Sequence, residues 1–231
     1  MCYSNSATTK NIDLSKRYRK STNSISDEIT YYANGFNFPN WRVVTNEESI
    51  KVMRWGLIPN WFKGNDEAEI ARMTLNARVE SVREKASFKS ILKRGRCIIP
   101  STGFFEWKHA GNKKTPFFIF PSDDIVFSMA GLFDVWETTN SLVYSFSILT
   151  CEANDFMAEI HNVKKRMPVI LSPSNELNWL CGEGEVADYT RKSTPKMEAH
   201  PVDPTIITGA DSNVPEVQKK HEPKNSQLSL F

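Results

Sequence analysis

Residues 96–107, Arg-Cys-Ile-Ile-Pro-Ser-Thr-Gly-Phe-Phe-Glu-Trp, begin the part of the sequence that decides the fold. From Arg96 to about Leu149, short apolar segments alternate with turn residues. This pattern is typical of β-strands, and the short turns between the segments favour antiparallel pairing. The predicted strands are Cys97–Ile99, Phe104–Trp107, Pro116–Phe120, Ile125–Met129, Leu132–Glu137 and Leu142–Thr150. We therefore expect a curled, barrel-like antiparallel sheet.

Two further strands are expected before this stretch and one after it. The two before it are Trp41–Val44 and Val52–Trp55, which are partly β-branched or aromatic. The one after it is Met167–Leu171. Residues 3–37 are polar and lack a clear period, so no element is predicted there.

Helices are expected at three places around the sheet. Ser81 and Glu84 form a capping box ahead of apolar residues at helical spacing, which predicts a helix that ends at Gly95. The other two helices are predicted over residues 152–161 and 172–181. The sequence thus predicts one α+β domain, with short helices flanking a curled sheet.

Length and composition limit the possible classes of protein. The 231 residues, 40% of them hydrophobic, suffice for one domain with a proper core. No apolar run approaches the roughly 20 residues of a membrane span, and no basic region precedes an apolar stretch at the N-terminus. We expect a cytoplasmic, monomeric protein that does not contact a membrane.

The four cysteines, Cys2, Cys97, Cys151 and Cys181, lie far apart in the sequence. They form no Cys-x-x-Cys pair and no Cys/His cluster with the spacing of metal ligands. Three of them lie among apolar residues, as buried thiols do in a reducing cytosol. We therefore expect no metal site and no other cofactor.

Cys2 would carry unusual chemistry if Met1 were removed, because one Cα would then hold both an amine and a thiol. The pKa of an α-amine is about 7.7–8.0 and that of a thiol about 8.5, so both are partly reactive near neutral pH. The amine can attack an aldehyde to give an imine, and the thiol can close onto the imine carbon as a thiazolidine. Taken alone, Cys2 is better explained as an accidental residue at a frayed terminus.

Four other polar residues are candidates for chemistry, each with a simpler alternative. Asn76 and Arg78 would share one face of an extended segment and suit a phosphate, or lie at the end of a surface strand. Glu106 lies between two aromatic residues, where desolvation would raise its pKa, or on the wet face of a strand. His161 follows a predicted amphipathic helix and is functional only if a reactive group lies near it.

Basic residues cluster in two places beside these candidates. Either cluster could be a solvated face or a surface for a polyanion. The second cluster is Lys164-Lys165-Arg166, directly after His161. The first consists of Arg83, Lys85, Lys89, Lys93, Arg94, Arg96 and Lys108.

Taken together and in order, these motifs resemble those of the SRAP (SOS response-associated peptidase) family, whose members are abasic-site processing proteins. The resemblance extends from residue 1 to about residue 200. The motifs are Met1-Cys2, Trp55-Gly-Leu-Ile-Pro-x-Trp61, Asn76-Ala-Arg78-x-Glu80, Arg96-Cys-x-Ile-Pro100, Gly103-Phe-Phe-Glu-Trp107, and His161 followed by Arg166-Met-Pro-Val-Ile-Leu171.

The resemblance implies that the chain crosslinks itself to the ring-opened aldehyde of abasic sites in single-stranded DNA. Cys2 matches the crosslinking cysteine, and Glu106 matches a glutamate that shuttles protons during ring closure or reopening. Asn76 matches an asparagine near the Cys2 amine and the sugar. His161 matches a histidine that protonates the opened sugar and could assist strand cleavage by β-elimination. Arg78 matches an arginine that contacts a phosphate.

Three more positions are expected to contact DNA by the same resemblance. Trp55 and Trp61 would offer apolar surface to the bases, and Arg166 would contact a phosphate. Two departures from the family pattern bear on this expectation. Tyr3-Ser4 stands where many members have Gly-Arg, so no DNA contact is carried over to position 4. The link between the histidine and Arg166 is also longer than in many members.

Residues 203–231 are expected to form a tail outside the catalytic domain, with residues 213–226 flexible because they are polar and rich in Pro, Lys and Asn. The tail ends in Gln227-Leu-Ser-Leu-Phe231. This segment looks like the pentapeptide by which bacterial proteins dock on the replicative sliding clamp. Leu228, Leu230 and Phe231 would fill apolar pockets while Gln227 forms hydrogen bonds at the rim.

The sequence thus leads to one hypothesis and two alternatives. The hypothesis is a sensor that forms a thiazolidine crosslink through Cys2 at abasic sites and protects them at bacterial replication forks. Reversal of the crosslink, lyase activity and self-removal of Met1 are expected with it. The alternatives are a cysteine peptidase that uses Cys2, with Glu106 and His161 as helpers, and a non-covalent single-strand binding module.

Overall fold

A computed structural model describes residues 2–23, 25–123, 125–190 and 195–222, and two β-sheets make up its framework. Short helices lie at the edges and between the strands. The strands are β1 Ser4–Ala7, β2 Thr30–Asn34, β3 Asn40–Val43, β4 Lys51–Trp55, β5 Asn76–Arg78, β6 Arg96–Ser101, β7 Gly103–Ala110, β8 Lys113–Pro121, β9 Phe127–Glu137, β10 Leu142–Glu152, β11 Arg166–Pro168, β12 Ile170–Leu171 and β13 Met197–Pro201. The α-helices are α1 Asn11–Tyr18, α2 Glu67–Met73, α3 Ala86–Lys89, α4 Asp155–Ile160, α5 Glu176–Leu180 and α6 Pro204–Ile207.

The larger sheet is built around the long strands β9 and β10. These two strands pair antiparallel from Leu142–Glu137 to Ile148–Gly131. β6 and β12 pair with β9, while β4, β5 and β11 pair with β10. The pairs of β10 with β4 and β5 are parallel, so the sheet is mixed rather than wholly antiparallel.

The smaller sheet has the strand order β13-β8-β7-β1-β2. The N-terminal strand β1 is therefore an inner strand with hydrogen-bonded neighbours on both sides. Its residues are buried although they are polar, because their side chains have partners inside the protein. The Ser6 hydroxyl, for example, bonds the Thr102 hydroxyl at 3.0 Å.

The main hydrophobic core draws side chains from both sheets. Most of its members are aliphatic, and its largest side chains are aromatic, each contributing on the order of 2 kcal/mol or more on burial. Trp55 and Phe146 stack with ring centroids 6.2 Å apart, and Phe104 lies 6.2 Å from Phe127 across the two sheets. The prediction of an α+β domain with a curled core is confirmed, although the sheets do not close into a barrel.

Gly131 explains one difference between the predicted and observed strands. Two strands were expected over 125–129 and 132–137, but β9 runs without a break from Phe127 to Glu137. A Cβ at Gly131 would lie 2.2 Å from Ile99 Cδ1 and 2.8 Å from the Ser147 carbonyl oxygen. This glycine therefore permits close approach between neighbouring strands and does not mark a turn.

The prediction of a helix from Ser81 to Gly95 is wrong for most of this segment. Only α3, four residues long, is helical, and turns precede and follow it. Ser81 accepts backbone bonds from Glu84 and Lys85 through its carbonyl, so the segment folds into successive turns. These turns bury Phe88 in the core, as a longer helix would also have done. The spacing of the apolar residues is compatible with both a long helix and successive turns, so it did not distinguish them.

The segment after residue 202 packs against the domain as far as the structure describes it. Val217 has no exposed surface, and Gln218 Nε2 donates to Ser6 Oγ at 2.6 Å and to the Tyr31 carbonyl at 2.9 Å. Residues 213–222 were expected to be flexible. These contacts correct that expectation, because they hold the segment on the smaller sheet. Within the described residues, no helix is both long and apolar enough to cross a membrane.

We expect Val217→Ala to lower the free energy of unfolding by about 2 kcal/mol, because it removes buried methyl groups and leaves a cavity. Chemical denaturation followed by tryptophan fluorescence measures the change. Val163→Ala is the matched control, since Val163 is 62% exposed and its truncation should change stability by less than about 0.5 kcal/mol. Equal, small effects of the two substitutions would contradict the packing of the segment around Val217.

Candidate active site

The pairing of β1 with β7 brings the segment before β1, Cys2-Tyr3, beside Glu106 and Trp107. Ser4 lies opposite Phe105 and Ser6 opposite Gly103 in this antiparallel pair. The same register, continued toward the N-terminus, places Tyr3 and Cys2 beside Glu106 and the residue after it. Cys2 has no exposed surface, and its thiol lies 3.8 Å from the Ser4 carbonyl oxygen, to which it donates a weak bond.

Glu106 is the buried acid of the site and is 4% exposed. Burial raises the pKa of its carboxyl to about 7, despite an opposing effect from the positive charge of Lys164. Burial also raises the pKa of the Cys2 thiol, and the Glu106 charge raises it further. A carboxyl with a pKa near neutrality can both donate and accept a proton beside this thiol.

His161 lies at the C-terminal end of α4 and faces Glu106. Its Nε2 is 3.8 Å from Glu106 Oε2. Its Nδ1 is 2.9 Å from the Arg166 carbonyl oxygen and 3.4 Å from the Arg166 backbone nitrogen, and the shorter contact, to an atom that can only accept, favours the tautomer with the hydrogen on Nδ1. Burial lowers the pKa of the imidazole, and the charge of Lys164 lowers it further. His161 is therefore held as one neutral tautomer with Nε2 directed toward the acid.

Asn76 and Arg78 lie on β5, which pairs in parallel with β10. The amide of Asn76 is buried, and neither its oxygen nor its nitrogen has a hydrogen-bond partner within the described residues. A buried amide in this state favours a ligand that supplies the partners. Arg78 is exposed, and its charge acts on Tyr3 beside Cys2, opposing the rise that burial and Glu106 cause in the Tyr3 pKa.

The two tryptophans expected to contact DNA occupy very different positions. Trp55 has no exposed surface and donates from Nε1 to the Leu75 carbonyl at 2.9 Å, so it supports the site from the core and offers no face to a base. A Cβ at Gly35 would lie 3.1 Å from the Trp55 ring. Trp61 is 47% exposed and donates from Nε1 to the Ala86 carbonyl at 3.3 Å. Of these two tryptophans, Trp61 alone presents aromatic surface to solvent.

Arg166 is engaged within the protein and does not point freely into the site. Its guanidinium binds both carboxylate oxygens of Glu80, at 2.6 and 3.0 Å, and the Thr150 carbonyl at 2.7 Å. Burial acts to raise the pKa of Glu80, but the hydrogen bonds from the Arg166 guanidinium, together with the charges of Arg166 and Arg78, outweigh it and hold that pKa below its usual value. The arginine expected to contact a phosphate is thus neutralised by an acid of its own chain.

Several residues that line the site were not indicated by any pattern in the sequence. A pocket of about 430 Å³ opens beside Glu106 and His161. Its other lining residues are Tyr3, Trp107, His109, Lys114, Val163 and Lys164. His109 lies three residues beyond Glu106 on β7, so the strand period of two assigns it to the opposite face, and its contact with Asn162 after α4 is a tertiary contact that no local pattern predicts.

Two expectations fall on positions outside the described residues. These are the removal of Met1 and the clamp-binding segment Gln227–Phe231. Within the residues that are described, no group of three or more His, Cys, Asp or Glu side chains is arranged to hold a metal ion.

Sequence comparison relates the chain to one family. The model of the family described as SOS response associated peptidase (SRAP) matches residues 1–208. "Abasic site processing protein YoqW" of Bacillus subtilis (strain 168) is 36% identical over 176 residues, which cover 73% of this chain and 75% of that protein. "Abasic site processing protein HMCES" of Xenopus tropicalis is 32% identical over 196 residues, which cover 74% of this chain and 57% of that protein. The match with HMCES thus spans just over half the length of that vertebrate relative.

Solved structures share the fold. A protein from Bacteroides thetaiotaomicron has a TM-score of 0.88 at 36% identity, and the match covers 96% of this chain and 100% of that one. A protein from Bordetella bronchiseptica has a TM-score of 0.74 at 23% identity, with 87% of this chain and 100% of that one covered. The second likeness concerns the fold alone.

The raised pKa of Glu106 predicts a specific dependence of stability on pH. The folded carboxyl titrates at about pH 7, whereas an unfolded glutamate titrates at about 4.3. Between these values the folded protein binds more protons than the unfolded chain, so the contribution of Glu106 to stability is lost as the pH rises. Glu106→Gln removes this dependence.

The free energy of unfolding of wild type, minus that of Glu106→Gln, should therefore fall by about 3 kcal/mol between pH 4.5 and 7.5 and stay constant above. Urea denaturation across this range measures it. Glu159→Gln, on the exposed face of α4, controls for the loss of a carboxylate. A difference that does not change with pH would contradict the burial of an ionisable Glu106.

Proposed function

This chain belongs to the SOS response associated peptidase (SRAP) family, and on that premise we propose that it processes abasic sites in DNA. We propose further that, once Met1 is removed, Cys2 forms a thiazolidine crosslink with the aldehyde of an abasic site in single-stranded DNA. The proximity of Glu106, with its pKa of about 7, to Cys2 is the observation that carries the proposal. The names of the relatives support the substrate.

The proposed chemistry uses one acid–base group three times. The neutral Cys2 amine attacks C1′ of the open-chain sugar, and a proton passes from nitrogen to oxygen through Glu106. Glu106 in its acid form then protonates the hydroxyl, which leaves as water, and an iminium forms. The thiol adds to the iminium carbon and gives its proton to the Glu106 carboxylate. One C–N and one C–S bond form, and one water leaves.

The pKa directions in the site suit these steps. The Cys2 thiol is held protonated, so it needs a base at the moment of addition, and a carboxylate whose pKa is about 7 is that base at neutral pH. The neutral His161 can relay a proton to the ring oxygen of the closed sugar and so favour the aldehyde form. The open amide of Asn76 is suited to hydrogen-bond the sugar or the amine.

The same groups support two further steps. Reversal of the crosslink needs Glu106 to protonate the departing sulfur, which is the last step run backward. Lyase activity needs a base to take a proton from C2′ of the iminium, so that the 3′ phosphate leaves by β-elimination. His161 Nε2, 3.8 Å from Glu106 Oε2, would be that base. Both steps belong to the proposal.

Peptidase character is proposed only for the bond between Met1 and Cys2. The thiol lies beside Glu106, and its addition to the Met1 carbonyl would pass through a five-membered ring to a thioester, which water then hydrolyses. General proteolysis receives no support from the exposed cations, Lys114 and Lys164, which line the mouth of the pocket. A polyanion fits this surface better than a peptide does.

The C-terminal segment adds a proposed partner. Gln227, Leu228, Leu230 and Phe231 would bind the replicative sliding clamp and hold the protein at replication forks, where single-stranded abasic DNA arises. The proposal for this segment rests on its sequence.

We expect wild-type protein lacking Met1 to give a heat-stable shifted band with single-stranded DNA that contains one abasic site. Cys2→Ala should give no such band, because it lacks the thiol that closes the ring. Borohydride should rescue a band for Cys2→Ala, since its amine still forms a reducible imine. Glu106→Gln should slow band formation at least tenfold. A denaturing gel over time measures all four.

Cys181→Ala is the matched control, because Cys181, which was expected to be buried, is an exposed free thiol elsewhere on the surface. It should crosslink like wild type. A wild-type band that disappears in Cys181→Ala, or persists unchanged in Cys2→Ala without borohydride, would contradict the proposed chemistry. No band from protein proven to lack Met1 would favour the non-covalent binding module.

Deletion of residues 227–231 should abolish binding to the sliding clamp and leave crosslinking unchanged. Surface plasmon resonance on immobilised clamp measures the first, and the gel assay the second. Ser229→Ala, inside the same pentapeptide, should retain binding because the proposed contacts are made by the residues around it. An equal loss of crosslinking in the deletion would assign the segment another role.

A further inference from the structure

The loop between α4 and β11 is held in one conformation against β7. The Asn162 side chain accepts from the His109 backbone N–H at 3.0 Å and donates to the His109 carbonyl at 2.8 Å. Lys165 takes a left-handed conformation with φ of 47°, and its N–H donates to the His161 carbonyl at 2.9 Å. Its own carbonyl accepts from Ala153 at 2.9 Å. The backbone of Lys164, between these anchors, is therefore fixed beside the pocket.

Two exposed lysines and a histidine line the pocket, whereas its acid is buried. Lys164 lines it from the loop, and Lys114 and His109 line it from the β7–β8 hairpin, where they lie directly opposite each other. Lys164 and Lys114 are exposed, and neither forms an ion pair with another described residue. The charge of Lys164 acts on both Glu106 and His161, so its ammonium lies within electrostatic reach of the reacting groups.

Because Arg166 is bound by Glu80, a phosphate in the pocket needs another cation, and Lys164 is placed to bind it. Glu80 occupies the fork of the Arg166 guanidinium with two oxygens, so a phosphate would have to displace a carboxylate to bind there. The link between His161 and Arg166 contains four residues and presents Lys164 at the pocket instead. Lysine serves well here because its ammonium reaches a phosphate as a point charge on a flexible stem.

We propose that Lys164, together with Lys114 and His109, forms a subsite for the DNA phosphate that flanks the abasic sugar bound at Glu106. This inference rests on the proposed function and names a contact within it. The subsite is large enough for such a group, since the pocket of about 430 Å³ lies within the range of ligand clefts. The bound phosphate would orient the sugar so that its C1′ faces Cys2.

The first test measures binding without chemistry. Single-stranded DNA with a central tetrahydrofuran abasic analogue has no aldehyde and cannot crosslink. We expect Lys164→Ala to weaken its binding about fivefold at low salt and to reduce the slope of log K against log salt by about 0.7, the value for one phosphate contact on a single strand. Lys113→Ala removes the same charge from the neighbouring position on β8, and its slope should equal that of wild type.

The second test locates the phosphate. Replacing one of the two phosphates beside the analogue by a neutral methylphosphonate should weaken binding to wild type at one position. At that same position the replacement should have no further effect on Lys164→Ala, because the contact is already lost. Inorganic phosphate should displace the DNA no better than chloride at equal ionic strength. Stronger displacement would mean a site for free phosphate and overturn the assignment to DNA.

The proposal is overturned if Lys164→Ala and Lys113→Ala reduce the salt slope equally, or if the methylphosphonate and Lys164→Ala effects add at both positions. These results are separable from failure of the proposed function. Wild-type protein that crosslinks aldehyde-containing DNA, with an unchanged slope in Lys164→Ala, contradicts the subsite alone. Wild-type protein that binds the analogue through Lys164 but forms no crosslink contradicts the crosslinking chemistry and leaves the phosphate contact standing.

Discussion

The pairing of β1 with β7 is the constraint on which the rest of the site depends. A chain terminus is normally free to fray, but here the strand directly after Cys2 is hydrogen-bonded on both sides. This pairing holds Cys2 close enough to the neighbouring strand for the Glu106 charge to act on its thiol. The polar side chains of β1 are buried with their partners, so the terminus cannot slip by one residue without leaving them unsatisfied.

Burial then gives the site its chemical character. An acid that is 4% exposed titrates near neutrality, and a thiol in the same place stays protonated until a base accepts its proton. His161 is fixed in one tautomer by a backbone carbonyl, and its lowered pKa keeps it neutral beside the acid. Proton transfer among these groups therefore needs no large change in charge, which suits a reaction that forms and loses an imine.

Much of the fold could be predicted because short apolar segments are separated by turn residues between Arg96 and Leu149. The aromatic neighbours of Glu106 likewise indicated its burial. Other parts could not be predicted from local patterns. β1 consists of Ser-Asn-Ser-Ala and is a strand only because other segments supply its partners. Residues 215–218 lack a periodic pattern, yet Val217 is fully buried. In both cases tertiary contacts outweigh local propensity.

The motifs shared with the family indicated which types of side chain belong to the site. They did not indicate what surrounds each side chain in the fold. They indicated Trp55 and Arg166 as DNA contacts, whereas one lies in the core and the other is bound by Glu80. The longer loop after His161 instead presents a lysine to the pocket. The motif does not show that Lys164 rather than Arg166 faces the pocket, because this depends on the ion pair that Glu80 forms with Arg166.

The central claim is that Cys2, as the free N-terminus, joins DNA through both its amine and its thiol. Intact mass spectrometry of the covalent complex, followed by digestion and alkylation, tests it most directly. The account predicts the mass of protein lacking Met1 plus that of the abasic DNA minus one water. It also predicts an N-terminal peptide whose thiol cannot be alkylated. A complex that retains Met1, or one in which the Cys2 thiol is alkylated, would contradict it.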